Sequence, residues 1–196
     1  ILIDVFKSEQ GAGYAALAYA RITGQIQVVM VTSGPGVTNV ISPLADAYYD
    51  STPLLLITGQ IGTVDLTTRK DVRQRGFQET PTVDIVKPLS KYATCLLSIE
   101  SVYTDIPKAF NFTMTGRKGP SVIDFPMDIQ RTEINKMIDT PDESYGDTSV
   151  LQVNFDSLKE IVYAGEQAKK PVILLGQGAL SCREFEMYER IADKLN

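Results

Sequence analysis

Two short stretches hold the side chains best suited to chemistry. The first, Ser8-Glu9-Gln10-Gly11-Ala12-Gly13-Tyr14, sets a carboxylate at the mouth of an alanine-rich segment. The second, Thr32-Ser33-Gly34-Pro35-Gly36-Val37-Thr38-Asn39, ends an apolar run with a hydroxyl, a turn and an amide. Glu9 can give or take a proton, Thr32 and Asn39 can hydrogen-bond a ligand, and the turn has no side-chain bulk to keep backbone from a flat ring. Taken alone, Glu9 reads rather as an acid favoured in a first helical turn, and Gly34-Pro35-Gly36 as a tight strand-to-helix turn. The chain of 196 residues holds no histidine, which excludes Ser-His-Asp and Cys-His catalysis and histidine-ligated metals within it. Carboxylates, amides or a bound cofactor remain.

The elements that would position these residues follow from periodicity. Gln10 to Ile22 reads as a closely packed helix, with Gly24 where a left-handed C′ residue belongs. Gly11, Ala12, Ala15, Ala16 and Ala20 leave room for another backbone or a ligand to approach it. Gln27 to Thr32 reads as a buried strand, and Thr38 opens a helix that Pro43 should kink or break. Pro53 to Thr58 is a second strand, closed by Gly59. The charged segment from Gln60 to Thr80 lacks periodicity and is long for an idle connector, which marks it as an active-site loop. Within it, Gln78 is either a site amide or a solvated one, and Phe77 either walls a pocket or anchors the loop. A short helix from Asp84 to Leu89, a strand from Lys91 to Leu97, a helix from Glu100 to Thr115 and a strand from Ser121 to Phe125 complete the pattern.

Repeated αβ units with continuous apolar strands predict a doubly wound parallel sheet with helices on both faces, and ligands at the strands' carboxyl ends. The polar stretch 133–154 reads as a linker. Residues 1–132 then form one domain, and 155–196 the beginning of a second, Rossmann-like α/β domain: a helix from Phe155 to Ala168, a strand from Pro171 to Leu175, a turn at Gly176-Gln177-Gly178 and a helix from Cys182 to Leu195. Ser181 stands where the third glycine of a dinucleotide turn would be, which argues against cofactor binding there. The opening Ile1-Leu2-Ile3-Asp4 without methionine reads as cut into an existing element, with more chain expected on both sides.

A net charge of −5 with interspersed signs offers no face for a nucleic acid. The basic stretch Arg69 to Arg75 reads as a solvated loop, with a substrate-anion role left open for one arginine. No apolar run reaches the roughly 18 residues needed to span a bilayer. Cys95 and Cys182 lack any CxxC context and read as buried thiols of a reducing compartment, the cytoplasm.

Five motifs in this order resemble the thiamine diphosphate-dependent enzymes, and among them the acetolactate synthase-like group. They are Glu9-Gln10-Gly11-Ala12, Thr32 to Gly36 with Thr38-Asn39, Ile57-Thr58-Gly59-Gln60, Gly76-Phe77-Gln78-Glu79, and Gly116-Arg117-Lys118-Gly119-Pro120 running into Asp124-Phe125-Pro126-Met127-Asp128. The likeness covers residues 7 to 131 closely and the rest loosely. It implies that Glu9 hydrogen-bonds the pyrimidine N1′ of the cofactor and favours the imino tautomer, whose exocyclic nitrogen can take the proton from the thiazolium C2. Burial against cofactor should raise the Glu9 pKa. Thr32, Pro35, Asn39 and Gln78 join Glu9 as implied cofactor-binding residues.

The resemblance further implies a 2-oxo acid substrate, decarboxylated and transferred to an acceptor as an acyl anion equivalent, in a homodimer or homotetramer whose sites form between subunits. It implies Mg²⁺ held by a Gly-Asp-Gly stretch of another domain, because none occurs here, and it leaves a flavin (FAD) open for the central domain. Two positions depart. Ser8 stands where many relatives carry histidine, and Met127 where acetolactate synthases proper carry a lysine, which favours another 2-oxo acid or carbonyl donor. The alternatives are a lyase, decarboxylase or hydrolase of the same family, or a noncatalytic α/β binding domain.

Overall fold

A computed structural model describes residues 2–69, 71–134, 153–182 and 185–194. The chain divides into two compact units, Ile1–Thr148 and Ser149–Asn196. Most of the expected linker, 135–152, lies outside the described residues.

The first unit is built on a four-stranded, wholly parallel sheet in the order β1-β2-β4-β3. Its strands are β1 (Gln27–Val31), β2 (Leu54–Gln60), β3 (Tyr92–Cys95) and β4 (Ser121–Pro126). Side chains alternate across a strand, so β2 sends Leu54 and Leu56 to one face and Leu55 and Ile57 to the other. Helix α1 (Glu9–Thr23) and the pair α2 (Pro35–Asn39) and α3 (Ile41–Tyr49) supply Leu17, Val37, Val40 and Leu44 to the first face, with Val86 of α5 (Thr82–Val86). Helix α6 (Ile99–Met114) supplies Val102 and Ala109 to the second. Full burial of side chains such as Leu44, Leu56 and Ile123 stabilises the unit by about 1.5–3 kcal/mol each.

The helix ends obey local rules. The Ser8 hydroxyl accepts from the Gly11 amide at 3.0 Å and starts α1, and Gly24 at φ 71° ends it. Ser98 and Ser101 form a reciprocal capping box at the start of α6. Arg117 of the glycine-rich motif donates to the Tyr49 carbonyl at 3.0 Å and the Ser51 hydroxyl at 2.7 Å, closing the exposed end of α3.

Several sequence expectations change. β1 is not a buried strand. It lies at the edge of the sheet and α6 does not cover it, so Val28 is 52% and Met30 73% exposed while Val29 packs inward. The break before α3 falls at Val40, three residues ahead of Pro43. The proline thus sits in the first turn of α3, where its missing N–H costs no hydrogen bond. The aperiodic segment holds a short helix, α4 (Thr63–Thr68).

Helix α7 (Met127–Gln130) follows β4 in the first unit, and the described residues of the second unit form α8 (Phe155–Gln167), α9 (Gln177–Cys182) and α10 (Phe185–Lys194). The strand expected over Pro171 to Leu175 is irregular, and the turn expected at Gly176-Gln177-Gly178 runs into α9. A strand needs a neighbour for its backbone hydrogen bonds, and no strand pairs with this stretch among the described residues.

Candidate functional site

The five residues singled out by sequence lie on three segments at the carboxyl end of β1 and the start of α1. Glu9 is the first residue of α1 and Asn39 the last of α2. The Asn39 Nδ2 donates to Glu9 Oε2 at 3.2 Å, joining the two motifs directly. Gly13 explains how α1 comes so near. A Cβ there would lie 2.5 Å from Pro43 Cγ and 3.8 Å from Val40 Cγ1, so only glycine lets α1 lie this close to the start of α3.

Glu9 is partly exposed, and its pKa moves down rather than up. Its own backbone N–H is the main cause and the Asn39 amide the next, and together they outweigh the opposing effect of burial. The desolvation this chain supplies is too small to raise it, and the helix N-terminus favours the charged form.

Thr32, Pro35 and Asn39 are all solvent-facing. Gly34 adopts φ 62° and leads into Pro35, the first residue of α2. Gln78 comes to the same place from the long loop. A Cβ on Gly34 would sit 2.6 Å from the Gln78 carbonyl oxygen, and Gln78 itself is left-handed at φ 56°. Two backbones meet here without side chains between them. Phe77 is 86% exposed, so it does not anchor the loop to the core.

The anchoring is polar and involves residues to which the sequence reading gave no role. Asp124, 2% exposed, accepts from the Thr58 hydroxyl at 2.7 Å and from Gln60 Nε2 at 2.9 Å. Burial is the largest influence on its carboxyl and pushes the pKa up, aided by the charge of Glu79 and opposed by hydrogen bonds from Thr58, Gln60 and Thr82. Glu79, also buried, accepts from the Arg75 guanidinium at 2.7 Å and the Arg75 amide at 3.2 Å. Arg75 further donates to the Leu66 carbonyl at 2.7 Å. This corrects the view of Arg69 to Arg75 as a merely solvated stretch, because Arg75 ties the loop to α4. The legible signal was an acid inside an apolar strand, since such a carboxylate must find donors.

Asp128, the second acid of the same motif, accepts from the Thr63 amide at 3.1 Å and hydroxyl at 2.5 Å, capping α4 from a distance in sequence. Burial opposes its ionisation, but the Thr63 hydroxyl and amide with backbone N–H groups at 128 and 129 together hold its pKa down. Met127 projects into solvent. Among the described residues, no three acids or thiols gather into a metal site, and no helix is long and apolar enough to cross a membrane.

Residues 1–86 match the family profile of the thiamine pyrophosphate enzyme N-terminal TPP binding domain. The chain belongs to the thiamine diphosphate-dependent enzymes. Relatives in that family include acetolactate synthases. The chain is 34% identical to the acetolactate synthase large subunit of Corynebacterium glutamicum over 187 residues, 95% of this chain and 29% of that protein. It is 35% identical to the large subunit from Lactococcus lactis, over 96% of this chain and 32% of the relative. With acetolactate synthase 2, chloroplastic, of Nicotiana tabacum it shares 37% identity over 91% of this chain and 26% of the relative. The chain therefore spans less than a third of each of these relatives' lengths.

Proposed function

We propose that this chain forms the pyrimidine-side half of a thiamine diphosphate site, in an enzyme that cleaves a 2-oxo acid next to its carbonyl and passes the resulting acyl anion equivalent to an acceptor. The observation that carries this reading is the meeting of Glu9 with Asn39 beside the bare Gly34-Pro35-Gly36 turn. The residues present suit an aminopyrimidine. A carboxylate accepts from or shares a proton with a ring nitrogen, and an amide and a hydroxyl are open to solvent beside it.

Thiamine diphosphate, when bound, supplies the carbon nucleophile and electron sink that no side chain of this protein can provide. The protein's part is to hold and orient. Glu9 would hold a proton at the ring nitrogen, Asn39 keeps the Glu9 carboxylate aimed and charged, and Thr32, Pro35 and Gln78 are the residues that would help hold the ring. A Glu9 pKa lying low in this chain leaves the carboxylate as an acceptor, and desolvation by the ring would then move it back up toward the working range.

Mg²⁺ and the diphosphate would be held by another domain, and a homodimer or homotetramer would bring the two halves together. Met127, with no charge to offer an acceptor's carboxylate, supports a 2-oxo acid transferase or lyase whose acceptor differs from that of the acetolactate synthases. The test is a pair of measurements on the full-length protein: thiamine diphosphate binding by calorimetry, and turnover of a panel of 2-oxo acids by wild type and Glu9→Gln. Cofactor binding with turnover reduced at least about 100-fold supports the reading, in line with the usual contribution of a positioned acid–base group. Unreduced turnover in Glu9→Gln sinks it.

A further inference from the structure

Gln78 reaches the β1 exit through its backbone, so whatever holds the loop there also places its side chain. Three observations bear on what does. First, the contact itself is backbone against backbone, with Gly34 and Gln78 both at positive φ. Second, a cavity of about 210 Å³ lies against the base of the loop, bordered by Gln60, Arg75, Thr80, Cys95, Leu97 and Asp124. Apolar packing beneath the loop is therefore incomplete at this point. Third, one carboxamide bridges the gap: Gln60 Nε2 donates both to Asp124 Oδ2 and to the Thr80 carbonyl, each at 2.9 Å, while Gln60 Oε1 accepts from the Ile61 amide at 2.9 Å. All the hydrogen-bonding capacity of the Gln60 nitrogen is used, one hydrogen toward the sheet and one toward the loop.

We propose that Asp124 is a positioning residue for Gln78, acting through the Gln60 carboxamide and the Thr80 carbonyl to seat the loop against Gly34. This rests on the reading of Gln78 as a site residue. Thr80 lies two residues from Gln78, and the Glu79 between them is fixed by Arg75, so the segment from Arg75 to Thr80 moves as one piece. Asp124 in turn is fixed by β4 and by Thr58, its cross-strand partner on β2. The carboxylate suits the task because it can accept from Thr58 and Gln60 at once. An asparagine there presents one oxygen and one NH2: with the oxygen toward Gln60, the Thr58 hydroxyl must accept instead of donate, and with the NH2 toward Gln60 two donors meet. In the first arrangement the Gln60 bond goes to a neutral oxygen and weakens, and in the second the carboxamide turns away from the sheet. The Asp-Phe-Pro-Met-Asp motif and the Gly-Phe-Gln-Glu motif, remote in sequence, are one mechanical unit by this account.

The test uses the full-length protein in four forms: wild type, Asp124→Asn, Gln60→Ala and Thr58→Val. Amide hydrogen exchange is followed at Arg75 and Glu79 of the loop, relative to amides of β2. Loss of one hydrogen bond to a charged or buried partner should speed loop exchange about tenfold in Asp124→Asn and Gln60→Ala. Thr58→Val also deprives Asp124 of a hydrogen bond but leaves the Gln60 bridge, so its loop should exchange as in wild type after the same normalisation. Equal acceleration in Thr58→Val and Asp124→Asn would show that Asp124 contributes only general stability, and unchanged loop exchange in Gln60→Ala would remove the bridge; either overturns the proposal. Asp124→Asn and Gln60→Ala should also weaken thiamine diphosphate affinity more than they lower turnover at saturating cofactor, a split that a stability loss alone does not produce. The affinity of Gln78→Ala separates the two claims: if it is undiminished, Gln78 leaves the site, while the exchange pattern still decides whether Asp124 seats the loop.

Discussion

The Asn39 amide donates to the Glu9 carboxylate across 3.2 Å, tying the end of α2 to the first residue of α1. Neither side chain is buried, so the bond survives on geometry, and the geometry is set by how closely α1 lies against α3. Removing the amide in Asn39→Ala should let the Glu9 pKa rise toward its ordinary value of 4.5, as read by NMR titration of the side-chain carboxyl carbon. A lowered pKa contributes stability that is present above the unfolded value and lost as pH falls through the folded one, so Asn39→Ala should also blunt this loss. An unmoved titration would mean that the hydrogen bond is absent in solution.

Gly13→Ala tests the same arrangement from beneath. The new methyl would meet Pro43 Cγ at 2.5 Å, and overpacking of this kind costs about 1–3 kcal/mol. Urea denaturation should show that loss, and Gly13→Ala with Pro43→Ala should recover part of it. If the single variant is as stable as wild type, α1 is not held by this close approach.

Gly34→Ala should be strongly damaging, because the position is buried against the Gln78 backbone. The position requires φ 62°, and a Cβ would lie 2.6 Å from the Gln78 oxygen. Strain at such a site costs on the order of 1–3 kcal/mol before the clash is counted. Displacement of the loop should speed tryptic cleavage at Arg69 and Arg73, measured as the rate of nicking of the native protein. Unchanged nicking would show that the loop does not lean on Gly34.

The Asp128 cap on α4 should carry a pH signature. Its lowered pKa gives stability that is full above 3.8 and is lost as pH falls through the folded value. Asp128→Asn should therefore flatten the acid limb of the stability profile below pH 3.8, where the wild type loses this contribution. Asp128→Ala should cost about 1 kcal/mol at neutral pH, the usual contribution of a helix cap. Asp124 has the opposite sign: its raised pKa means that acidification relieves a penalty, so the two acids of one motif pull the profile in opposite directions.

Cys95 borders the cavity with its thiol pushed up to about 12, chiefly by burial and next by the charge of Asp124. In a Cys182→Ser background its alkylation by iodoacetamide at pH 8 should run roughly 30-fold slower than that of a peptide thiol, the scarcity of thiolate being partly offset by its greater nucleophilicity. A rate equal to the peptide's would mean that the cavity admits water and reagent freely.

The sequence by itself determined most local structures of the first unit and their order, because helix caps, glycine turns and apolar strand runs act over a few residues. Ser8 before Glu9, Gly24 after Thr23, and the exit of β1 into Gly34-Pro35-Gly36 follow from such chemistry, as does a parallel sheet with helices on two faces. Glu9, Thr32, Pro35, Asn39 and Gln78 were legible as candidates by type and motif, and tertiary structure decided how they are arranged. Asn39 holds Glu9 only because Gly13 fits against Pro43, and Gln78 reaches Gly34 only because a buried Asp124 and Glu79 bind the loop from below. The exposed face of β1 and the unformed strand at Pro171 to Leu175 have the same cause: whether an apolar run is covered, or paired, depends on neighbours that the run does not encode.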